Sequence, residues 1–303
     1  MKLLVDSGTT RRYQLITTHT KLVGLLGYPL ETSFSPKMQN AAFKATGLDC
    51  YYFPIEVGKD EVGAVINGIR YMNFMGLNVT KPNKVRVMRY LDEIDELASK
   101  IGAVNTIKIE NGKMIGYNTD GEGYVESLKT ILGDIKGKRF TLLGAGGAGR
   151  AIAFTLAKYG AGKIHIFDRV VECGEKVVSE VNALMHLCTE YVYNSEENLI
   201  RCIDDSDVII NATGMGMINS LDSTPVNKDF LRPGLIVSDL TYNPSKTRLL
   251  KEAESQGCTI HNGVGMLIHQ GAKAFEIWTG LNAPIELMTE MINEAVAAVN
   301  ERQ

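Results

Sequence analysis

The segment Gly144-Ala145-Gly146-Gly147-Ala148-Gly149 constrains this chain more than any other feature, because it fits G-x-G-x-x-G between an apolar run and an amphipathic one. Phe140–Leu143 reads as a strand, a helix is expected to begin near Arg150, and Ile164–Phe167 reads as a second strand ending at Asp168. In such a unit the first glycine makes the turn, the second lets backbone approach a pyrophosphate, and the third allows close helix–sheet packing. The helix N-terminus then faces the phosphate charge. Asp168 is placed to accept hydrogen bonds from adenosine ribose hydroxyls. A tight strand-to-helix turn with no ligand is the bland alternative, and the complete context weighs against it.

The choice between NAD and NADP rests on two adjacent residues that pull in opposite directions. Asp168 repels an extra 2′-phosphate, whereas Arg169 can pair with it. A ribose-binding carboxylate must be displaced or neutralised before that phosphate fits, so the sequence leans to NAD and leaves NADP open. A salt-bridged surface pair of Asp168 and Arg169 is the alternative without a ligand.

Around this turn the chain alternates short apolar runs with longer amphipathic ones. Leu22–Leu26, Tyr51–Val57 and Leu77–Val79 read as strands, with helices expected over Ser35–Thr46, Asp60–Asn73 and Val85–Ala98. Ser35-Pro36 suits a helix start with Ser35 as N-cap, and Gly47 suits its stop. Thr106–Ile109 and Met114–Tyr117 form an expected hairpin, since Asn111-Gly112 tolerates positive φ. A second series follows, with strands at Phe140–Leu143, Ile164–Phe167, Val208–Ile210 and Leu235–Val237 and helices at Ala151–Tyr159 and Thr247–Gln256. Met266–Trp278 and Ile285–Val299 read as terminal helices that pack back across a domain boundary. The fold class is therefore α/β with two α/β domains. A Rossmann-like dinucleotide domain spans 122–262, and a substrate domain spans 1–121, completed by helices within 263–303. The first 20 residues lack a clear period and are expected to form a partly ordered arm.

Composition narrows the partners. With 32 basic and 35 acidic residues the net charge is −3, which provides no broad positive field for nucleic acid or anionic lipid. A small-molecule substrate is expected instead. Five cysteines without a C-x-x-C pair speak against a disulfide framework or thiolate zinc site, and point to a reducing cytoplasm. Leu3-Leu4-Val5 is too short for a signal sequence core, and no uncharged stretch reads as a membrane span. The five histidines show no H-x-x-x-H or H-E-x-x-H spacing, so no metal is expected. A homodimer is left open.

Polar residues gather where strands end and helices start, the place at which open α/β sheets bind ligands. They are Ser33 and Ser35, Asn78 and Thr80 with Lys84, Asn105, and Asp120. Singly, each has a structural reading as a cap, a turn residue or a solvated charge.

Together they follow an order. Ser33-x-Ser35-Pro36, Asn78-Val79-Thr80-x-Pro82-x-Lys84, Gly102-Ala103-Val104-Asn105-Thr106, Asn118-Thr119-Asp120-x-x-Gly123, the glycine turn, Asn211-Ala212-Thr213, Asp239-x-x-Tyr242-x-Pro244 and Gly265-Met266-Leu267-x-x-Gln270 resemble the shikimate dehydrogenase family across about Leu22 to Gln270. The Met38-Gln39-Asn40 and Pro82-Asn83-Lys84 wording is similar to its quinate/shikimate branch. The resemblance implies that Lys84 and Asp120 are the catalytic pair. It implies that Ser33, Ser35, Asn78, Thr80, Asn105, Tyr242 and Gln270 hold the substrate, with Asp120 also bonding it. Gly144 through Gly149, Asp168, Arg169, Thr213 and Gly263 would hold NAD or NADP.

The implied chemistry is reversible hydride transfer between shikimate and 3-dehydroshikimate, within aromatic amino-acid (chorismate) biosynthesis. A site of Ser, Thr, Asn and Gln suits a polyhydroxylated ring acid because analogues leave those groups unpaired. An ammonium at Lys84 can stabilise and protonate the oxygen that gains charge as a ketone is reduced. In the oxidative direction a neutral amine must take the proton, which a nearby carboxylate disfavours and desolvation favours. Asp120 is therefore assigned chiefly to orienting Lys84. Quinate as an additional or preferred substrate is one alternative, and a non-catalytic dinucleotide-sensing module is a remote one. Gln39, Gly214 and Asp168-Arg169-Val170 depart from wording common in the family, the last from that associated with NADP. Met215 and Met217 suit either a core or a nicotinamide contact, and Trp278 reads as a core anchor.

Overall fold

The computed structural model describes residues 16–31 and 33–300. Most of the arm expected over the first 20 residues, up to residue 15, lies outside the described residues.

The first half runs through β1 (Lys21–Gly27), α1 (Ser35–Ala45), β2 (Cys50–Glu56), α2 (Val62–Ile69), β3 (Phe74–Val79), β4 (Glu93–Ile94), α3 (Glu96–Ile101), β5 (Thr106–Glu110) and β6 (Lys113–Tyr117). Its sheet has the order β2-β1-β3-β5-β6-β4. β1 is parallel to β2 and β3, as the alternating pattern predicts, while the β5–β6 hairpin enters antiparallel. Asn111 and Gly112 hold φ of 53° and 77°, the two positive values that the hairpin turn demands.

Two local expectations are corrected. Residues 85–98 are not one helix: a 3₁₀ turn at Arg86–Tyr90, β4 and α3 share the stretch. Its two aspartates divide it. Asp92 accepts the Met114 amide at 2.7 Å and so ties the segment to β6, and Asp95 caps α3 by accepting from Leu97 and Ala98. Likewise Ser35 is not the cap of α1. Phe34 is already in a helical conformation, Ser35 is the first helical residue, and Ser33 Oγ accepts its amide at 3.3 Å.

The second half comprises α4 (Asp120–Leu132), β7 (Arg139–Leu143), α5 (Gly147–Lys158), β8 (Lys163–Phe167), α6 (Val171–Leu184), β9 (Thr189–Tyr191), α7 (Glu196–Asp204), β10 (Val208–Asn211), β11 (Ile236–Asp239), α8 (Arg248–Ser255) and β12 (Thr259–His261). Its sheet is wholly parallel, in the order β12-β11-β10-β7-β8-β9. Counted from β7, that is the doubly wound order of a Rossmann-like sheet, with its switch point between β7 and β10. The inner strands β7, β8 and β10 are mostly apolar and, apart from their opening Arg139 and Lys163, buried, as burial on both faces requires.

α9 (Gly263–Thr279) and α10 (Ile285–Asn300) return to the first sheet. Phe275, Trp278, Met288 and Ile292 share one core with Val23, Met38 and Phe43. Trp278 is the anchor expected, 5% exposed, with its indole N–H donating to Ile107 O at 2.9 Å. α4 is wedged between two other helices by its glycines: a Cβ at Gly121 would meet Thr155 Oγ1 of α5 at 2.0 Å, and one at Gly123 would meet the Gln270 amide of α9 at 2.5 Å. These contacts fix the end of α4 that carries Asp120.

Candidate active site

Lys84 leaves the loop after β3, and that loop is closed onto the sheet by backbone: Thr80 N donates to Leu26 O at 2.8 Å, and Lys84 O accepts from Val104 N at 2.8 Å. Its Nζ lies 2.6 Å from Asp120 Oδ2, the two side chains being 30% and 10% exposed. Asp120 opens the thirteen-residue α4, where the helix dipole favours a carboxylate. Its Oδ1 accepts from Asn105 Nδ2 at 2.9 Å, and its amide donates to Asn118 Oδ1 at 3.1 Å. The pair is thus pinned from three elements rather than left to two flexible chains.

A buried polar lattice surrounds it. Asn105 Oδ1 accepts from Thr119 N at 2.8 Å and from Thr106 Oγ1 at 3.0 Å, while Thr119 Oγ1 donates to Gln270 O at 3.0 Å. Asn78 Nδ2 donates to Thr106 Oγ1 at 3.1 Å. Gln270 Oε1 stands 3.4 Å from Asn105 Nδ2. Asn78, Asn105, Asp120 and Gln270 therefore converge with Lys84 through one connected network, although they come from β3, the loop just before β5, α4 and α9. Ser33 and Ser35 stand at the start of α1. Thr80 is half-buried in the loop, with no side-chain hydrogen bond among the described residues. Tyr242 reaches over from the second half to place its ring 5.9 Å from that of Phe34, and burial pushes its hydroxyl pKa up.

The second candidate feature is the glycine turn. Gly144 has φ of +99°, and a Cβ there would meet the Ala212 carbonyl at 2.9 Å. A Cβ at Gly149 would strike Gly144 O at 1.9 Å, so this glycine lets the helix start against the strand. α5 begins at Gly147, earlier than expected, because Gly147, Ala148 and Gly149 themselves form its first turn. Gly146 and Gly147 have nothing within 4 Å of a Cβ position, which leaves open space in front of the helix N-terminus. The twelve-residue helix and that space fit a pyrophosphate.

Asp168 follows β8, with Oδ2 accepting from Ala145 N at 2.6 Å and Oδ1 from Val170 N at 2.8 Å. No ion pair joins it to Arg169 among the described residues, and Arg169 is exposed. Thr213 lies in the loop after β10 at the switch point, held by Asn211 Oδ1 at 2.7 Å. Gly263 begins α9 in contact with Leu240 O, where a Cβ would stand only 2.0 Å away.

Some participants escape the motif reading. Thr106 and Thr119 lie inside quoted motifs, yet their buried hydroxyls emerge as connectors only in three dimensions. Tyr52 sits on β2 with no motif. Arg150, next to the glycine turn, donates from Nη2 to Lys100 O at 2.7 Å, bonds Ile101 O and pairs with Glu180, tying α5 to α3 and α6. Its adjacency to the turn was the available signal. Met217 is 44% exposed and Met215 half-buried beside the switch point, so neither is a core methionine. Among the described residues no group of three or more His, Cys, Asp or Glu is placed to hold a metal ion.

A doubly wound sheet with a glycine cradle, in one chain with a buried polar network that carries a lysine–carboxylate pair, defines a two-sheet α/β oxidoreductase of the dinucleotide-dependent class. Residues 25–107 match the family described as shikimate dehydrogenase substrate binding domain, 126–222 match shikimate/quinate 5-dehydrogenase, and 263–290 match the shikimate 5′-dehydrogenase C-terminal domain. The chain belongs to the shikimate dehydrogenase family. It is 46% identical over 284 residues to the shikimate dehydrogenase (NADP(+)) of Methanocaldococcus jannaschii, covering 93% of this chain and 99% of that one. It is similar to the structure of shikimate 5-dehydrogenase from Listeria monocytogenes in complex with shikimate and NAD, with TM-score 0.87, 43% identity, and coverage of 95% and 100%. Quinate dehydrogenase from Corynebacterium glutamicum in complex with NAD is also similar, with TM-score 0.84, 31% identity, and coverage of 91% and 99%.

Proposed function

We propose that this protein interconverts shikimate and 3-dehydroshikimate, with NAD preferred over NADP. The observation that carries the reading is the 2.6 Å contact of Lys84 Nζ with Asp120 Oδ2, set in a network of buried amides and hydroxyls. When bound, the nicotinamide supplies or takes the hydride. Lys84 Nζ delivers a proton to the substrate oxygen in reduction and receives it in oxidation. Asp120 holds that nitrogen in place and offers carboxylate oxygen to a substrate hydroxyl. Asn78, Asn105, Gln270, Thr80, Ser33 and Ser35 orient the ring, and Tyr242 closes the cleft against Phe34. Gly144 through Gly149, with Thr213 and Gly263, make room for the dinucleotide. The division into 1–121 with 263–303 and 122–262 follows from the same reading, since the substrate side keeps the terminal helices.

Three local features support NAD. The Asp168 carboxylate is fixed by two backbone amides, Val170 offers no hydroxyl beside it, and Glu172 adds a second negative charge in the first turn of α6. Exposed Arg169 is the counterweight that leaves NADP a slower alternative. No described helix is long and apolar enough to cross a membrane. The proposed substrate is a small molecule, and five cysteines without a C-x-x-C pair support a reducing, cytoplasmic setting.

The test mixes purified protein with shikimate or quinate and either NAD or NADP, and follows reduced nicotinamide by absorbance. Turnover is expected to be fastest with shikimate and NAD. Silence in all four combinations sinks the enzyme; faster turnover with quinate moves it to the quinate branch.

A further inference from the structure

We infer that Tyr52 is a positioning residue for the substrate wall, one that fixes which hydrogen-bonding face Asn78 shows to the ligand; the inference rests on the functional reading above. Tyr52 lies on β2, 1% exposed, with its ring 6.2 Å from that of Trp278. Its hydroxyl donates to Asn78 Oδ1 at 2.9 Å, and the Ser35 side chain hydrogen-bonds the Tyr52 hydroxyl oxygen in turn. One phenol thus joins two residues of the cleft that lie on different elements, at the start of α1 and near the end of β3.

The polarity of these bonds carries the argument. A phenol has one proton, and this one is given to Asn78 Oδ1. The amide then has its nitrogen turned toward Thr106 Oγ1 at 3.1 Å and Asn105 O at 3.3 Å, which occupies its two hydrogens. What remains to Asn78 is the second lone pair of Oδ1. It therefore meets the substrate as an acceptor and takes a ring hydroxyl as donor. Without the phenol, the amide can turn over and offer the wrong face. Asn78 is 6% exposed, so water gives Oδ1 little compensation for the lost proton.

The experiment is Tyr52→Phe, which keeps the ring against Trp278 and deletes only the hydroxyl. The KM for shikimate is expected to rise about tenfold, with kcat lowered less than about threefold and the KM for NAD unmoved. Tyr124→Phe is the control. Tyr124 is equally buried, but its hydroxyl bonds Ser238 in the second half at 3.0 Å, away from the cleft. An unchanged shikimate KM in Tyr52→Phe, or an equal rise in Tyr124→Phe, overturns the proposal. A wild-type protein without turnover instead sinks the functional reading, so the two failures are distinct. Should Tyr52→Phe not fold, a crystal structure of the wild-type shikimate complex decides: Asn78 Oδ1 is expected to keep the Tyr52 bond and accept from a shikimate hydroxyl. An amide turned the other way, or out of reach of the ligand, overturns it.

Discussion

Lys84 and Asp120 are joined across two elements, the loop after β3 and the first turn of α4, by a 2.6 Å contact between Nζ and Oδ2. Substituting Lys84→Met keeps the length of the stem and removes the nitrogen. Turnover is expected to fall about 10²–10⁴-fold, as for loss of a general acid–base group. NADH binding, read by fluorescence titration, should change less than threefold, since the glycine turn belongs to the second half. A variant that turns over at the wild-type rate removes Lys84 from the chemistry.

Asp168 is the residue on which cofactor preference turns. Asp168→Ala removes the charge that repels a 2′-phosphate and the acceptor proposed for the ribose. The ratio of kcat/KM with NAD to that with NADP is expected to drop about tenfold or more, the size of one charged hydrogen bond. A ratio equal to the wild type would mean that the carboxylate serves only the Ala145 and Val170 amides.

His261 gives the fold a pH dependence of its own. It is buried among Ser127, Ser238 and Tyr124, with Nε2 at 2.7 Å from Ser127 Oγ and Nδ1 at 2.9 Å from Ser238 Oγ, and burial pushes its pKa from 6.5 down to about 4. The unfolded chain therefore takes up a proton near pH 6.5 that the folded chain refuses until about pH 4. Stability is full above the upper value and declines as pH falls toward the lower one, by roughly 3 kcal/mol for this group. Urea unfolding of the wild type and of His261→Gln at several pH values measures it. The variant should lose that part of the slope, and parallel curves would refute the assignment.

Gly123 holds α4 against α9 so closely that a Cβ would stand 2.5 Å from the Gln270 backbone nitrogen. Gly123→Ala is expected to cost about 1–3 kcal/mol in thermal stability, the usual penalty of overpacking. Because the displaced backbone carries Gln270, shikimate KM should rise as well. Gly112→Ala provides the comparison: it has open space at Cβ, sits at the hairpin tip with φ of +77°, and should leave KM alone.

The sequence made the dinucleotide wall readable because that wall is local: one turn, one helix start and one acidic strand end lie within a single unit. Strand–turn chemistry was equally legible at Asn111-Gly112. The short edge strands β9 and β12, each of three residues, carry too little periodicity to be seen, and α6 and α7 went unmarked between clearer strands. The long amphipathic reading of 85–98 failed because Asp92 and Asp95 bond distant or local backbone amides, which hydrophobic spacing does not encode. In the cleft, the motifs named Asn78, Asn105 and Asp120. The hydroxyls that connect them, on Tyr52, Thr106 and Thr119, depend on cross-strand neighbours and remained hidden. The cap assigned to Ser35 failed for a similar reason, because the helix starts one position before the Ser-Pro signal implies.

The return of α9 and α10 to the first sheet has a consequence for how the protein is made. As the chain leaves the ribosome, the parallel sheet of the second half has all its strands once His261 has emerged. The first sheet, synthesised earlier, still lacks Phe275, Trp278, Met288 and Ile292, the side chains that share its core with Val23 and Phe43. The sheet made earlier is thus closed later than the sheet that follows it. During that interval its apolar face waits in the open for α9 and α10, and the site that depends on Gln270 can form only after the whole second sheet has been made.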